Sequence, residues 1–301
     1  MSSTQKVWRN GNYISWDQAT VHVLSHGFSR GSAIFDVFRV YETVNGPAAF
    51  RMDEHINRFF YTAKLLGMKV SWSKEELKQA ALDTIKENQV RKGLVKILAY
   101  WAEEAVLKLV PEAPLSVDIF VIDDSGNPDI EEKSLTKASI TKWRKIPPEC
   151  SPAKAKACAH YLNGMLARAD AQSRGFDVGI LLDTNGFVAE CSIEALFMVK
   201  NKVLVTPNLG WILRSITRQT ILEVARDEGI EVDERPITRD ELMTADECFI
   251  ACTSDKVRPI GLIDDYVVEN APGPFSVQIS KLCKDIVQGN DPQYNKWLTY
   301  I

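Results

Sequence analysis

The sequence predicts an α/β protein of two domains, the first of them with an α+β arrangement. Its 301 residues are 45% hydrophobic, which suffices for one large core or two medium cores, and this length favours two domains. Near the middle, the polar segment 123–134 (DDSGNPDIEEKS) combines Gly, Pro and a charge run. It predicts an interdomain linker between domains 1–122 and 135–301. A long surface loop inside one domain is the alternative.

The first domain is predicted to be an antiparallel sheet with helices on one face. A hairpin turn at Asn10-Gly11-Asn12 precedes a strand pattern over 33–43 that alternates between two faces. One face carries Ile34, Asp36, Phe38 and Val40, and the other carries Phe35, Val37, Arg39 and Tyr41. Two later strands, Leu94–Trp101 and Val117–Ile122, are rich in branched residues.

Two helices lie between these strands in the sequence. Asp53 has the position of an N-cap, and apolar residues then recur at helical spacing until Gly67. Ser73 and Glu76 form a capping-box pattern at the start of the second helix. Helices packed on an antiparallel sheet make this an α+β domain.

The second domain alternates strands and helices. A helix is predicted over Lys156–Arg174, a buried strand over Val178–Leu182, and a hairpin strand that ends at Glu190. Further helices are predicted from Thr217 and over Phe275–Val287.

Composition excludes several classes of function. A net charge of -4 leaves no basic excess for nucleic-acid phosphates. No apolar run reaches membrane-spanning length, and the amino terminus lacks the apolar core of a signal peptide. The six cysteines form no Cys-x-x-Cys pair, and the four histidines have no metal-ligand spacing. We therefore expect a cytoplasmic protein with reduced thiols and no metal, nucleic-acid or membrane partner.

The stretch Ser151–Asn163, SPAKAKACAHYLN, carries the first candidate for chemistry. Lys156 lies among small residues, where its aliphatic stem could pack against apolar surface. Burial or a neighbouring cation lowers the pKa of a lysine and makes the neutral amine available as a nucleophile. Exposure is the commoner fate of a lysine, and Lys154 is a second candidate. The residues alone predict a Schiff-base lysine only if the chain also supplies a cofactor site.

Three other features could supply such a site. Glu190 ends an otherwise apolar strand, where a carboxylate needs a cation such as a protonated pyridine nitrogen, unless it faces solvent. Ser215-Ile216-Thr217 and Thr253-Ser254 are candidate anion sites, because free N–H groups at a helix start attract phosphate. An ordinary N-cap threonine is the alternative. Arg58 shares a helix face with His55, and a guanidinium suits bidentate phosphate contact.

Five ordered blocks of the sequence resemble the class IV, fold-type IV pyridoxal-phosphate aminotransferases, the branched-chain amino-acid aminotransferases in particular. They are GPAAFRMDEHINR, Lys-x4-Tyr-x-Asn, GFDVGILLDTNGFVAE, ITRQTILEVARDEGIEVDERPI and ADECFIACTSDKVRPI. The resemblance runs from about Ser25 to the end of the chain, apart from the region around the linker. Five blocks in order at family-like separations are far more specific than any one motif.

The resemblance implies pyridoxal 5'-phosphate as the cofactor and Lys156 as its Schiff-base lysine, because Lys156 precedes Tyr161 by five positions, as in the family. Tyr161 would then bond the cofactor's phenolic oxygen, and Glu190 would keep its pyridine nitrogen protonated. The implied phosphate ligands are Arg58, Ile216, Thr217 and Thr253.

The family also implies a fold and an assembly. The fold has a small N-terminal antiparallel-sheet domain and a larger C-terminal α/β pseudo-barrel domain, with the cofactor in the cleft between them. The implied assembly is a homodimer, or a higher homo-oligomer, whose partner loops complete the substrate pocket.

The chain departs from the family pattern at residues expected around the substrate. A Tyr-Gly pair becomes Arg30-Gly31, a Phe-Glu-Gly run becomes Phe35-Asp36-Val37, and a Pro-Gly pair becomes Arg214-Ser215. A strand arginine becomes Lys96, although an ammonium is no conservative substitute for a bidentate carboxylate clamp. The predicted substrate-pocket residues are Arg30, Phe35, Val37, Lys96, Arg214 and Ser254.

The expected function is amino transfer from a branched-chain or other hydrophobic amino acid to 2-oxoglutarate by a ping-pong mechanism, with Lys156 as general acid–base. The expected partners are therefore a small-molecule amino donor and a keto-acid acceptor. The altered pocket leaves three alternatives open. They are an aminotransferase for D-amino acids or (R)-amines, a lyase resembling aminodeoxychorismate lyase, and a non-catalytic regulator that binds pyridoxal phosphate.

Overall fold

The computed structural model describes residues 5–124, 135–254 and 256–301. Most of the predicted linker, residues 125–134, lies outside the described residues. Contacts between Cα atoms divide the described chain into two compact units. Unit 1 contains residues 5–124 with Ala155–Ala159 and Ile286–Ile301, and unit 2 contains residues 135–154 and His160–Asp285. The predicted domains are continuous segments, whereas these units are not, because the segment around Lys156 and the C-terminal residues group with unit 1.

Unit 1 is built on an antiparallel sheet. Its strands, numbered along the whole chain, are β1 Lys6–Arg9, β2 Asn12–Ser15, β3 Ile34–Thr43, β4 Gly46–Phe50, β5 Gly93–Tyr100, β6 Ser116–Asp123 and β16 Leu298–Tyr300. Within the described residues the order is β16-β4-β3-β5-β6-β1-β2, and each neighbouring pair is antiparallel. The helices are α1 His26–Ser29, α2 Met52–Leu65 and α3 Lys74–Glu87.

The two long helices cover one face of this sheet, so the predicted α+β arrangement is confirmed. The core contains Ile34 and Phe38 of β3, alternate residues of β5 from Val95 to Ala99 and of β6 from Val117 to Val121, and apolar residues of α2 and α3 such as Phe59 and Leu77. These positions follow the period of two of a strand and the spacing of an amphipathic helix. The opposite face of β5 carries Lys96 and Leu98.

The predicted N-cap of α2 is wrong. The helix begins at Met52 with Arg51 as its N-cap residue, in the left-handed conformation at φ 48°. The Arg51 N–H donates to the carbonyl of Trp297 at 2.7 Å, and its guanidinium lies 4.4 Å from the Trp297 ring centre. A contact with the C-terminal segment, 246 positions away in the chain, therefore decides where this helix begins.

Unit 2 contains a mixed sheet. Its strands are β7 Thr136–Arg144, β8 Val178–Leu182, β9 Val188–Cys191, β10 Ala195–Lys200, β11 Val203–Thr206, β12 Val232–Glu234, β13 Glu247–Cys252, β14 Lys256–Ile263 and β15 Tyr266–Val267. Within the described residues the order is β12-β11-β10-β13-β14-β7-β8-β9, with β15 on β14. The helices are α4 Tyr161–Ser173, α5 Ile216–Asp227, α6 Arg239–Leu242 and α7 Pro274–Val287. The last two residues of α7, Ile286 and Val287, belong to unit 1.

Both faces of the unit 2 sheet are buried at its centre. Along β10, Leu196 and Met198 belong to one apolar cluster, whereas Phe197 and Val199 belong to a second cluster that includes residues of α5 and α7. Burial on both faces explains why this strand is apolar throughout. No helix in the described parts of the chain is long and apolar enough to cross a membrane.

Two predicted helix starts in this part of the chain are wrong. The helix predicted from Lys156 begins at Tyr161, because the backbone around Ala157 forms a bridge with Ile34 of β3 instead. The helix predicted from Thr217 begins at Ile216, one residue earlier. Ser215 is its N-cap, since the Ser215 side chain accepts a hydrogen bond from the Arg218 N–H at 3.2 Å.

Candidate active site

Lys156 lies in a short segment that is held against unit 1 by its backbone. The Lys156 carbonyl accepts from the Phe35 N–H at 3.1 Å, and the Cys158 N–H donates to the Ala33 carbonyl at 2.8 Å. The Lys156 N–H donates to Oγ1 of Thr62, a fully buried residue of α2, at 3.1 Å. Lys156 is half-buried and Lys154 is exposed. Of the two candidate lysines, Lys156 is therefore the one with a partly buried side chain.

The Phe35 ring contacts two ammonium groups. Lys156 Nζ lies 4.7 Å from the ring centre, and Lys96 Nζ lies 4.5 Å from it. Val37 stands opposite Lys96 in the β3–β5 register, on the same face of the sheet as Phe35. The structure thus brings together three of the predicted substrate-pocket residues, namely Phe35, Val37 and Lys96, and Phe35 is in contact with Lys156.

A cavity of about 600 Å³ opens on this face of the sheet in unit 1. Its wall is mostly apolar, with Trp16, Phe28, Leu98 and Phe120 among the lining residues. Lys96 also lines it, as does Cys158. Burial raises the pKa of the Cys158 thiol, which Lys96 and Lys156 oppose only in part. A protonated thiol is a poor nucleophile, so Cys158 contributes to the shape of the cavity.

Arg58 is buried in unit 1 and bound by a carboxylate. Its Nε and Nη2 groups both donate to Asp36, each at 2.8 Å. His55, on the same face of α2, contacts the same carboxylate at 2.7 Å. Sequence reasoning placed Arg58 and His55 together but missed Asp36 as their partner. The sequence did contain a signal for this ion pair, because Asp36 is an acidic residue on the apolar face of a predicted strand.

In unit 2, Glu190 forms an ion pair with Lys145, and each side chain is 13% exposed. Glu190 stands opposite Leu181 in the β8–β9 register, and the Lys145 N–H donates to the Leu182 carbonyl at 2.8 Å. Sequence reasoning expected a cation for Glu190 but did not find Lys145. That assignment needs the order β7-β8-β9, which the sequence does not state.

Tyr161 is half-buried at the first position of α4, and this helix lies very close to β8. A Cβ on Gly179 would come within 2.3 Å of the Ala167 carbonyl oxygen, and one on Gly164 within 2.0 Å of the Ser192 carbonyl oxygen. Glycine at both positions permits the close approach.

Asn163, on the first turn of α4, carries a polar atom without a protein partner. Its Nδ2 donates to the Arg144 carbonyl at 3.0 Å, which places the amide beside Lys145. Its buried Oδ1 has no hydrogen-bond partner among the described residues. Such an orphaned acceptor is what a polar ligand can satisfy.

The start of α5 offers donors for an anion. The first N–H groups of a helix have no acceptor within the helix, and Ser215 satisfies only that of Arg218. The structure shows no acceptor for the N–H groups of Ile216 and Thr217 among the described residues, and the helix dipole favours negative charge there. Thr253 follows β13 and is half-buried. Ser254 Oγ lies 3.2 Å from Cys252 Sγ.

Two predicted pocket residues lie at the surface. Arg30 is exposed, and its Nη2 donates to the Val106 carbonyl at 2.9 Å. Arg214 is exposed in unit 2.

The donors present fit pyridoxal phosphate. The cofactor has three groups to be held. Its phosphate dianion requires cations or N–H groups, its pyridine nitrogen requires a carboxylate, and its aldehyde requires an amine. Groups of each kind are present in the units taken separately: Arg58 and Lys156 in unit 1 are a cation and an amine, and the α5 start and Glu190 in unit 2 are a set of N–H groups and a carboxylate.

Comparison with known proteins agrees with this chemistry. A family model described as amino-transferase class IV matches residues 33–263. The branched-chain-amino-acid aminotransferase of Pseudomonas aeruginosa is 31% identical over 299 residues, which cover 98% of this chain and 97% of the relative. The enzyme of the same name from Escherichia coli K12 is 31% identical over 300 residues, with the same two coverages.

Solved structures are similar over the whole chain. The branched-chain aminotransferase of Thermoproteus uzoniensis, solved with norvaline, has a TM-score of 0.93 and 33% identity, and 98% of each chain is covered. The branched-chain amino acid aminotransferase of Thermobaculum terrenum, solved in its pyridoxal-phosphate holo form, has a TM-score of 0.93 and 30% identity, with 99% of each chain covered. The predicted α/β two-domain fold of type IV and the pyridoxal 5'-phosphate cofactor are confirmed. The chain belongs to the class IV aminotransferases.

Proposed function

We propose that this aminotransferase moves the amino group of a branched-chain or other hydrophobic L-amino acid to 2-oxoglutarate in a ping-pong reaction. The observation that carries the proposal is the cavity of unit 1, whose wall is apolar except for a few groups that include Lys96. An apolar wall suits a branched side chain, and one ammonium suits the second carboxylate of the acceptor. The names of the relatives at 31% identity support the same substrates.

Lys156 is assigned the proton transfers. When bound, pyridoxal phosphate supplies the electron sink that acidifies the substrate's α-carbon. Lys156 Nζ removes the α-proton from the amino donor and returns a proton in the second half-reaction as general acid–base. The backbone contacts with Phe35 and Thr62 fix the Lys156 backbone, and Lys156 Nζ lies 4.7 Å from the centre of the Phe35 ring. Positioning of this kind is a large part of enzymatic rate enhancement.

The other predicted site residues are assigned to holding the cofactor. Arg58, Ile216, Thr217 and Thr253 would bind its phosphate. Tyr161 would donate to its phenolic oxygen. Glu190, which is ion-paired with Lys145, would accept from its protonated ring nitrogen. A carboxylate at this place keeps the ring nitrogen protonated, which the reaction requires of its electron sink.

The assigned assembly is a homodimer, and an exposed apolar patch on unit 1 supports it. The patch consists of Phe28, Val106, Leu107, Leu109 and Val110, and each of these side chains is at least 65% exposed. Isolated exposed apolar residues are ordinary, whereas a contiguous group of this kind marks an interaction site. Leu107→Asp is expected to shift the protein from dimer to monomer in analytical ultracentrifugation. A wild-type protein that sediments as a monomer contradicts the assignment.

A panel of amino donors with 2-oxoglutarate tests the proposed reaction. Glutamate should form from L-leucine, L-isoleucine and L-valine. Activity only with D-alanine or an (R)-amine would overturn the proposal in favour of an enzyme for those donors. Pyruvate release from aminodeoxychorismate would instead indicate a lyase, and cofactor binding without any turnover would indicate a regulator.

A further inference from the structure

Asp36 is a buried charge on the helix-facing side of β3, among apolar neighbours. It shares that face with Ile34 and Phe38, and its side chain is fully buried. A buried carboxylate is costly unless it is paired and hydrogen-bonded. Its Oδ2 accepts from Arg58 Nε and its Oδ1 accepts from Arg58 Nη2, each at 2.8 Å. Two parallel bonds fix both the place and the plane of the guanidinium.

His55 makes a further hydrogen bond to the same carboxylate. Its Nδ1 lies 2.7 Å from Asp36 Oδ1, and an ionised carboxylate can only accept, so the imidazole donates. Burial would raise the pKa of Asp36, but Arg58 and His55 outweigh burial and hold it below its usual value. Burial lowers the pKa of His55, against the opposing effect of Asp36, so the imidazole is neutral at pH 7. The cluster therefore contains one carboxylate and one guanidinium, with His55 as a neutral donor.

The two elements that carry this cluster also carry the Lys156 backbone. Thr62 lies one helical turn after Arg58 on α2 and accepts from the Lys156 N–H. Phe35 immediately precedes Asp36 on β3 and donates to the Lys156 carbonyl at 3.1 Å. The distance between the Arg58 guanidinium and Lys156 is thus set by one strand and one helix turn.

We propose that Asp36 is a positioning residue that holds the Arg58 guanidinium in place for the cofactor phosphate before the cofactor arrives, at a fixed distance from Lys156. This inference rests on Arg58 as a phosphate ligand, which is part of the proposed function. The two bonds from Nε and Nη2 to Asp36 fix the orientation of the whole guanidinium. An arginine that is ordered in advance loses less side-chain entropy when it binds.

The test compares two ligands that differ only in the phosphate. The full-length chain, freed of cofactor, is titrated with pyridoxal 5'-phosphate and with pyridoxal. An asparagine side chain at position 36 has one acceptor and one donor group. One of the two hydrogen bonds from Arg58 would therefore be lost, because an N–H of Arg58 would face the NH₂ group of the asparagine. Asp36→Asn should therefore weaken pyridoxal 5'-phosphate binding by about 10- to 100-fold, the range for loss of charge-assisted hydrogen bonds. Binding of pyridoxal should change by less than about 2-fold, because it has no phosphate for Arg58 to hold.

Two matched variants separate positioning from stability. Glu194 is also buried and is paired with an arginine, Arg168, so Glu194→Gln should destabilise the protein without changing the ratio of the two affinities. Asp36→Glu retains two acceptors and should restore most of the ratio. If Asp36→Asn does not fold, His55→Leu removes the donor to Asp36 and should lower the ratio by a smaller factor.

The outcomes distinguish this inference from the proposed site. The positioning role of Asp36 would be overturned by either of two results in Asp36→Asn: equal weakening of both ligands, or tighter binding of pyridoxal 5'-phosphate. Either result counts against positioning alone if Arg58→Met still lowers the ratio of the affinity for pyridoxal 5'-phosphate to the affinity for pyridoxal. An unchanged ratio in Arg58→Met would overturn the phosphate role of Arg58 itself, and the inference with it. The expected result is a lowered ratio in both variants, with no further loss when they are combined.

Discussion

Unit 1 holds Arg58 and Lys156 through contacts between residues that are far apart in the chain, whereas the start of α5 in unit 2 is held by a neighbour in the same helix. Asp36 binds Arg58 from 22 positions away, and Thr62 binds the Lys156 N–H from 94 positions away. In unit 2, by contrast, Ser215 caps α5 three positions from its donor. Replacement of a group in unit 1 should therefore disturb function through geometry, and replacement of a cap in unit 2 should mainly change local stability.

The largest effect is expected at Lys156. Lys156→Ala removes the amine assigned to the proton transfers and should lower kcat by about 10²- to 10⁴-fold, the range for a lost general acid–base. Lys154→Ala, two positions earlier and exposed, is the matched control and should keep kcat within about 2-fold of the wild type. Steady-state rates with L-leucine and 2-oxoglutarate measure both. Similar losses in the two variants would remove the distinction between the lysines.

A second large effect is expected at Glu190. Glu190→Gln removes the negative charge assigned to the cofactor's ring nitrogen and should lower kcat by about 10²-fold, as for other lost preorganised charges. Lys145→Met should have a smaller effect on kcat and should lower the free energy of unfolding by about 1–3 kcal/mol, because it leaves a largely buried carboxylate without its cation. Lys142→Met, at an exposed position of β7, is the control. A larger kcat loss in Lys145→Met than in Glu190→Gln would contradict the assignment.

Sequence reasoning succeeded where short-range contacts decide the structure. The hairpin turn at Asn10-Gly11, the capping box of Ser73 with Glu76 and the strand Val178–Leu182 are all confirmed. Each depends on a spacing of a few residues, which a single sequence displays.

It failed where distant segments compete with local preference. The residues from Lys156 to Cys158 have a helical composition, yet their backbone bonds to β3 and to Ala33, the residue before it. The partners of Arg58 and Glu190 are Asp36 and Lys145, charged residues on or beside a predicted strand. Neither partner could be assigned from the sequence, because the assignment requires the order of the strands. For the same reason, the roles assigned to the cofactor residues depend on family resemblance more than on residue patterns.

The buried histidine of unit 1 should make stability depend on pH. The pKa of His55 is lowered in the folded protein, so the unfolded chain binds a proton more readily, and stability falls as pH drops below about 6.5, the usual histidine value. Asp36 adds a further loss at lower pH, because its folded pKa lies below its usual value of about 3.9. Urea unfolding between pH 7 and pH 5 should show a flatter pH dependence in His55→Leu than in the wild type. Identical slopes would show that His55 is not held neutral.

The smallest effect is expected at a helix cap of unit 2. Ser215→Ala removes the acceptor for the Arg218 N–H and should lower the free energy of unfolding by about 1 kcal/mol. Thr238→Ala removes the corresponding cap of α6 and should cost a similar amount. Only Ser215→Ala should also weaken pyridoxal 5'-phosphate binding, because only α5 is assigned to the phosphate. Equal effects of the two variants on cofactor affinity would argue against an anion site at α5.

The assignment of Lys156 is tested most directly by reduction of the holoenzyme with borohydride, followed by peptide mapping of the lysine that carries the cofactor. We expect the adduct on Lys156, the half-buried lysine whose Nζ lies 4.7 Å from the Phe35 ring centre. An adduct on Lys154, or on any other lysine, would contradict the site described for this protein.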